Sequence, residues 1–149
     1  MTYTLCQFKA VLDGLGYNLG PNGYGGNKSN TLDFYTQAAI QEFQTNYKLP
    51  VTGNLDAPTI EKAQQLMRNL KHSLNLTIDS HLPINEFYGP RTLQAVMEFQ
   101  QHHNLPVTGI AGSVVRKTLD TEVKHQLRQQ MQAGVPINEK PYDNHHQLA

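Results

Sequence analysis

An eighteen-residue segment occurs twice in this chain, and the duplication constrains the fold more than any other feature. Residues 36–53 read TQAAIQEFQTNYKLPVTG and residues 92–109 read TLQAVMEFQQHHNLPVTG, with ten identical positions and no gap at an offset of 56. A duplication of this kind indicates one supersecondary unit that is used twice. We therefore expect two tandem copies of one small motif, each built around this segment.

The modest apolar content predicts that the two copies share structure. The chain has 149 residues, of which 38% are hydrophobic, and its mean hydropathy is −0.52. Halves of this size bury a low share of their surface, so two separate cores would each be marginal. We expect a first repeat at 1–65 and a second at 66–134 that pack together, followed by a loose polar tail at 135–149.

Apolar spacing within the duplicated segment predicts a helix in each copy. Ala39, Ile40 and Phe43 follow Thr36 at i+3, i+4 and i+7, and the second copy repeats this spacing. Asp33 is a strong capping residue before the first helix. The second helix has a glycine at the cap position and a proline at its first position, Gly89-Pro90. Each helix is expected to stop before a Leu-Pro pair, because the residue before proline avoids the α region.

Further apolar stripes predict three more helices and hence an all-α fold. Leu5, Phe8 and Leu12 recur at helical spacing before a glycine break at 14–16. A stripe from Pro58 to about Leu74 predicts a long helix that closes the first repeat and opens the second. Its counterpart is expected at 113–133, with the inward residues Val115, Leu119, Val123 and Leu127. The glycine- and asparagine-rich stretch at 20–33 predicts a loop.

Charge and composition exclude several classes of function. The chain carries 12 basic and 12 acidic residues, and its four arginines are scattered, so no basic face for nucleic acid is expected. No apolar run approaches the length that spans a membrane. The N-terminus lacks the features of a secretory signal, so either the chain is not exported by that route or it begins after a cleaved signal. Cys6 is the only cysteine, which excludes an internal disulfide.

The reactive residue types do not form a recognisable catalytic or metal-binding pattern. None of the seven histidines belongs to an HExxH motif, and the adjacent pair His102-His103 diverges by about 100° on a helix. Cys6 lies on an apolar helix, where a buried core role is favoured. Glu42 and Glu98 are equivalent by repetition and are expected to be solvated or to act as local helix caps, not to form an acid/base pair. We therefore predict no catalysis, no cofactor and no metal site.

With these residues in view, the chain resembles a tandem peptidoglycan-binding-domain protein of the three-helix type found beside many cell-wall hydrolases. The resemblance covers about residues 5–127. The second repeat carries it best, through PINEFYGPRTLQAVMEFQQHHNLPVTGIAG, and the first carries it through TQAAIQEFQTNYKLPVTGNLDAPT and the LGY at 15–17. It implies an all-α fold of two three-helix repeats, packed in tandem through a shared long helix.

The chain departs from the family pattern at several positions. Asn85-Glu86 stands where the family often has Asp-Gly, and Val115 stands where it usually has threonine. The loop before Asp33 is also longer. The phrase LPVTGNLDAPT resembles the propeptide module of matrix metalloproteinases as well, but the Pro-Arg-Cys-Gly segment through which that propeptide inhibits is absent.

Peptidoglycan offers sugar faces, amides and carboxylates, and a passive site for it needs aromatic rings, amide groups and an arginine. In the second repeat the candidates are Tyr88, Arg91, Gln100, His103 and Asn104. In the first repeat they are Phe34, Tyr35, Gln44, Tyr47 and Lys48. Three alternatives stay open: the two glutamines bond the loop backbone, Tyr88 is a packing residue, and Arg91 is merely solvated.

The resemblance implies non-catalytic binding of bacterial peptidoglycan, which would target the chain or a partner such as a wall hydrolase to the wall. It also implies a place in the cell envelope or periplasm. A protein–protein interaction module on the same fold, without a glycan ligand, is the alternative. An enzyme of an unrecognised type is a third and less favoured hypothesis.

Overall fold

The computed structural model describes residues 3–132, and these form five α-helices with no strand. The helices, numbered α1 to α5 in chain order, span Leu5–Gly14, Phe34–Asn46, Ala57–Ile78, Pro90–His102 and Ser113–Gln132. One 3-10 turn, Tyr24–Gly26, lies between α1 and α2. The prediction of an all-α fold is confirmed. The predicted tail at 135–149 lies outside the described residues.

The two helices of the duplicated segment begin where capping chemistry places them. The Asp33 carboxylate accepts a hydrogen bond of 2.8 Å from the backbone N–H of Thr36, so it caps α2. α4 begins at Pro90 directly after Gly89, which provides no side-chain cap. Both starts are confirmed, and the two helices have the same length of 13 residues.

The shared helix α3 runs further than its apolar stripe predicts, to Ile78 instead of about Leu74. Its end is fixed by Asn75, whose side chain accepts from the N–H of Leu82 at 2.7 Å and donates to the Leu82 carbonyl at 2.9 Å. Asp79 then takes a left-handed conformation with φ of 55°. The end of α3 therefore depends on a polar side chain in its last turn. The spacing of apolar residues gives no information about that side chain.

Buried residues of both repeats form one continuous core. Phe8, Phe43 and Phe99 are fully buried within it, and α3 packs against both α4 and α5. This confirms that the repeats share structure. In α5, Val115, Leu119 and Val123 are buried as expected, whereas Leu127 is half-buried. The predicted boundary between residues 65 and 66 falls inside α3 and remains a prediction.

Hydrogen bonds between the repeats fix how they sit against each other. They join the N–H of Ala111 to the Gly14 carbonyl at 2.6 Å, the Tyr3 hydroxyl to the Glu86 carbonyl at 2.7 Å, and Arg116 to the Tyr47 hydroxyl at 2.7 Å. One of these bonds is between backbone groups and the other two involve side chains. The orientation of the repeats therefore does not depend on the apolar core alone.

The long loop at 20–33 is tied to α1. The Lys9 ammonium, on a fully buried residue, donates to the Asn27 side-chain oxygen at 2.8 Å, and the Asn27 amide donates to the Leu19 carbonyl at 3.1 Å. Cys6, expected in the core, is half-buried, and its Sγ lies 3.7 Å from the Tyr24 hydroxyl. The predicted loop thus has fixed anchors, which sequence composition alone does not indicate.

Candidate functional site

The candidate glutamines lie inside the protein, where each holds its own Leu-Pro loop. Gln44 is fully buried, and its oxygen accepts from the N–H groups of Thr52 and Gly53 at 2.9 and 3.0 Å. Gln100 is 2% exposed and accepts from Thr108 and Gly109 at 2.9 Å each. Both amides also donate within the protein. Neither amide presents a surface to a ligand, so the geometry favours the alternative in which they bond the loop.

Tyr47 and His103 occupy equivalent positions and pack on the core phenylalanines. The Tyr47 ring centroid lies 5.0 Å from that of Phe43, and the His103 ring stacks on Phe99 at 4.1 Å. Both side chains are half-buried. The Tyr47 hydroxyl is already occupied by Arg116 of the other repeat. Each of these rings therefore packs against a core phenylalanine on one side and can present an edge at the surface.

Lys48 and Asn104 lie two residues after the ends of the two repeat helices. They have left-handed φ values of 58° and 54°, and both are exposed. Asparagine adopts this conformation readily, whereas lysine is strained in it. Their backbone role is to turn the chain into the Leu-Pro loop, which leaves their side chains available at the surface.

The start of α2 presents an exposed aromatic pair. Phe34 is 76% exposed and Tyr35 is 43% exposed, and their ring centroids lie 5.7 Å apart in an edge-to-face arrangement. The Tyr35 ring also lies against Gly20, where a Cβ would come within 3.1 Å of it. Exposed rings of this kind can cover the apolar face of a sugar.

Arg91 lies in a cleft of about 360 Å³ on one side of Pro90. The exposed guanidinium donates to the His81 carbonyl at 3.0 Å, which leaves its other donors available. Gln94 and Glu98 line the same cleft. Arg91 can therefore reach a carboxylate or an amide oxygen from a position that its own hydrogen bond steadies.

Tyr88 lies in a different cleft of about 420 Å³ on the other side of Pro90, and we call it the inter-repeat cleft. Residues of both repeats line it, among them Ala10, Asp13, Tyr24, Lys28, Tyr88 and Leu93. The Tyr88 hydroxyl donates to the Gly109 carbonyl, and burial raises the pKa of this hydroxyl well above its ordinary value. Tyr88 thus both packs and lines a cleft, and Tyr88 and Arg91 do not share one pocket.

Charged groups of opposite sign line the inter-repeat cleft. Burial raises the pKa of the Asp13 carboxyl. The Lys28 ammonium lies 5.4 Å from the centroid of the Tyr24 ring. Asp13, Tyr24 and Lys28 are not among the site residues nominated from the sequence. They belong to α1 and to the long loop of the first repeat, where no ligand contact was expected. The one available signal was the length of that loop.

Asn85 and Glu86, which stand where the family often has Asp-Gly, belong to a buried polar cluster. The Lys71 ammonium donates to the Asn85 side chain, and burial lowers the pKa of Lys71 to about 8, with the Glu86 carboxylate opposing that shift. Glu86 is 4% exposed, and one of its oxygens lies 3.4 Å from Arg68. Lys9 and Asn27 make the equivalent contact in the first repeat. Asn85 therefore has a structural partner within the fold.

The chain matches the family model of the peptidoglycan binding domain twice, over residues 5–63 and 58–119. These matches cover most of the chain and overlap within α3, the helix that both repeats use. The chain therefore belongs to the peptidoglycan-binding-domain family, as two copies in tandem. No curated protein and no solved structure matches it significantly.

This family is one of binding domains and is associated with the bacterial cell wall. Within residues 3–132, no helix is long and apolar enough to cross a membrane. Over the same residues, no group of three or more His, Cys, Asp or Glu side chains is placed to hold a metal ion. The predictions that the chain has no catalytic activity and no cofactor remain predictions.

Proposed function

We propose that this chain binds bacterial peptidoglycan without modifying it, and that binding concentrates the chain or an associated partner at the wall. The two family matches over residues 5–119 are the observation that carries the proposal. The partner we expect is a wall hydrolase, and the location is the cell envelope or periplasm. Neither nucleic acid nor a membrane is a proposed partner.

We assign different surface side chains to different chemical parts of peptidoglycan. Tyr35, together with Phe34, is proposed to cover a sugar face, since the two rings form an exposed pair. Arg91 is proposed to pair with a stem-peptide carboxylate, because a guanidinium recognises that planar group. Tyr88 contributes a ring to the inter-repeat cleft.

The remaining candidates have supporting roles in this proposal. His103, Asn104 and Tyr47 lie at the ends of the repeat helices and can contact a ligand at its edge. Gln44 and Gln100 act as positioning residues, because they hold the loops that follow those helices. We therefore expect their substitution to affect stability before affinity.

A pull-down with insoluble peptidoglycan at moderate salt tests the function. The wild-type chain is expected in the pellet, with Tyr35→Ala and Arg91→Ala each less retained. Arg128→Ala is the matched control, because it removes an exposed arginine from α5, far along the chain from the proposed contacts. Absence of wild-type retention would refute wall binding, and equal retention of all variants would refute the assigned residues.

The alternative function, a protein-interaction module, has one observation in its favour. Leu32 and Phe34 are 39% and 76% exposed, and exposed apolar side chains in close sequence suit a protein partner. Retention by a protein together with indifference to soluble muropeptides would support it. Clearing of wall material by the chain in a zymogram would instead indicate an enzyme.

A further inference from the structure

The inter-repeat cleft exists only because the two repeats are docked. Asp13, Tyr24 and Lys28 come from the first repeat, and Tyr88 and Leu93 come from the second. The docking is close at this point, since the Tyr88 ring lies against Gly14 and the Ala111 N–H bonds the Gly14 carbonyl at 2.6 Å. A single repeat would hold half of the cleft.

The size and walls of the cleft define what it can accommodate. Its volume of about 420 Å³ falls at the small end of ligand sites, which suits a segment the size of an amino acid. Ala10 and Leu93 supply apolar wall, and Tyr24 and Tyr88 supply rings. Asp13 and Lys28 supply one negative and one positive group.

Among residues 3–132, no hydrogen bond or ion pair joins the Asp13 carboxylate to another residue. It is half-buried, and burial raises its pKa. A neutral sugar would leave this charge uncompensated, and a simple anion would be repelled by it. A ligand that carries only a positive charge would pair with Asp13 but would offer no negative group to Lys28. The Lys28 ammonium itself contacts the Tyr24 ring.

We infer that the inter-repeat cleft binds the free end of a stem peptide at which an ammonium and a carboxylate occur together. The ammonium pairs with Asp13, the carboxylate pairs with Lys28, and the hydrocarbon part lies along Leu93 and the two tyrosine rings. This inference rests on the proposed function and names the part of peptidoglycan that the cleft recognises. It also sets the stoichiometry at one such end per chain, although the chain contains two repeats.

Titration of soluble muropeptides by calorimetry, with NMR shift mapping, tests the inference. Three probes are compared: a muropeptide whose terminal diamino acid is free, the same molecule N-acetylated at the terminal amine, and the same molecule amidated at the terminal carboxyl. Loss of either charge is expected to weaken binding by about tenfold or more, which is the usual effect of removing one charge-assisted hydrogen bond. The expected stoichiometry is one.

Two variants test which side chain pairs with each charge of the ligand. Asp13→Asn is expected to bind the free and the N-acetylated muropeptides equally, and Lys28→Gln to bind the free and the amidated muropeptides equally. Asp120→Asn is the matched control, since it removes a carboxylate from α5 that is already paired with Lys124 at 3.0 Å. It should keep the wild-type preferences.

A folding measurement excludes a trivial cause for any loss in Asp13→Asn. The folded-state pKa of Asp13 is raised, so its ionisation opposes folding, and that cost is present at neutral pH. The cost disappears as the pH falls to about 3, where the carboxyl is protonated in both states. Asp13→Asn should therefore unfold at a higher temperature than the wild type at neutral pH, and the difference should vanish in acid.

The outcomes separate the inference from the function on which it rests. If the wild type is retained on insoluble peptidoglycan but binds all three muropeptides equally, the inference is wrong and wall binding stands. The inference is also wrong, and wall binding still stands, if Asp13→Asn binds the free muropeptide more tightly than the N-acetylated one. Binding of two muropeptides per chain would lead to the same conclusion. If the wild type is not retained on peptidoglycan at all, both are wrong.

Discussion

A single buried glutamine holds each of the two Leu-Pro loops of this protein. Gln44 and Gln100 follow core phenylalanines at equivalent positions and each accepts two backbone N–H groups. The sequence singled them out by repetition but left two roles open, since an amide bonds a ligand and a backbone equally well. Burial decides between those roles, because a side chain that is 2% exposed or less cannot contact a ligand.

Replacing Gln100 with alanine should destabilise the chain. The change leaves the N–H of the buried Gly109 and that of the exposed Thr108 without their partner, which should lower the free energy of unfolding by about 1–3 kcal/mol. Gln101→Ala is the matched control, because Gln101 is exposed, and its effect should stay within about 0.5 kcal/mol. Urea unfolding checks both. A loss below about 1 kcal/mol for Gln100→Ala would contradict the assigned role.

The buried lysines are residues that pattern reading could not assign. Lys9 and Lys71 are 0% and 3% exposed, yet lysine is normally a surface residue. Each lies on an apolar helix face and reaches an asparagine of the following loop, Asn27 or Asn85. That partner is 14 to 18 residues away in sequence, so helical periodicity contains no information about it.

At the scale of secondary structure, α3 is the element on which both repeats depend. It closes the first repeat, opens the second, and contacts both α4 and α5. Its stripe of apolar residues is a local feature, and the sequence predicted the helix from it, whereas the cap at Asp56 comes from the structure. Its extension to Ile78 depends on Asn75 and the chain beyond it, which local patterns do not describe.

The half-buried Asp56 should contribute to stability, because it caps this shared helix. It accepts from the Thr59 hydroxyl at 2.6 Å and from the Thr59 N–H at 3.3 Å. Asp56→Ala should lower the free energy of unfolding by about 0.5–2 kcal/mol at neutral pH. Asp56→Asn keeps a capping oxygen and should cost less.

The same residue predicts a pH dependence that separates the two variants. The Thr59 hydroxyl is the main cause that lowers the Asp56 pKa below its ordinary value of 3.8. A lowered carboxyl pKa stabilises the fold above the ordinary value, and this stability is lost as the pH falls below it. The advantage of wild type over Asp56→Asn in thermal unfolding should therefore shrink below pH 3.8. A constant difference across that range would contradict the assignment.

The contact between α1 and the segment before α4 gives a prediction about packing. A Cβ at Gly14 would lie 2.3 Å from the Tyr88 ring, so Gly14→Ala must displace that ring. We expect a loss of about 1–3 kcal/mol, despite the better helix propensity of alanine. Gly25→Ala is the control, since nothing lies within 4 Å of its added Cβ. Chemical unfolding gives the magnitude, and unchanged Tyr88 resonances in Gly14→Ala would refute the displacement.

At the scale of the whole molecule, the repeats share one core and therefore should unfold together. Phe43→Leu in the first repeat and Phe99→Leu in the second should each lower the midpoint of a single transition, at a cost of about 1–2 kcal/mol. Hydrogen exchange should show reduced protection in both repeats for either variant. Two separate transitions, or lost protection in the mutated repeat alone, would mean that the repeats fold independently.

The amino-acid sequence determined the duplicated motif, the helix starts at Phe34 and Pro90, and the family. These features follow from interactions between residues a few positions apart, such as capping, helical spacing and the restriction before proline. Only the tertiary structure brought Asp13 and Lys28 to Tyr88 and enclosed Gln44 and Gln100. Those outcomes depend on how the repeats dock, and docking joins residues that lie far apart in the chain.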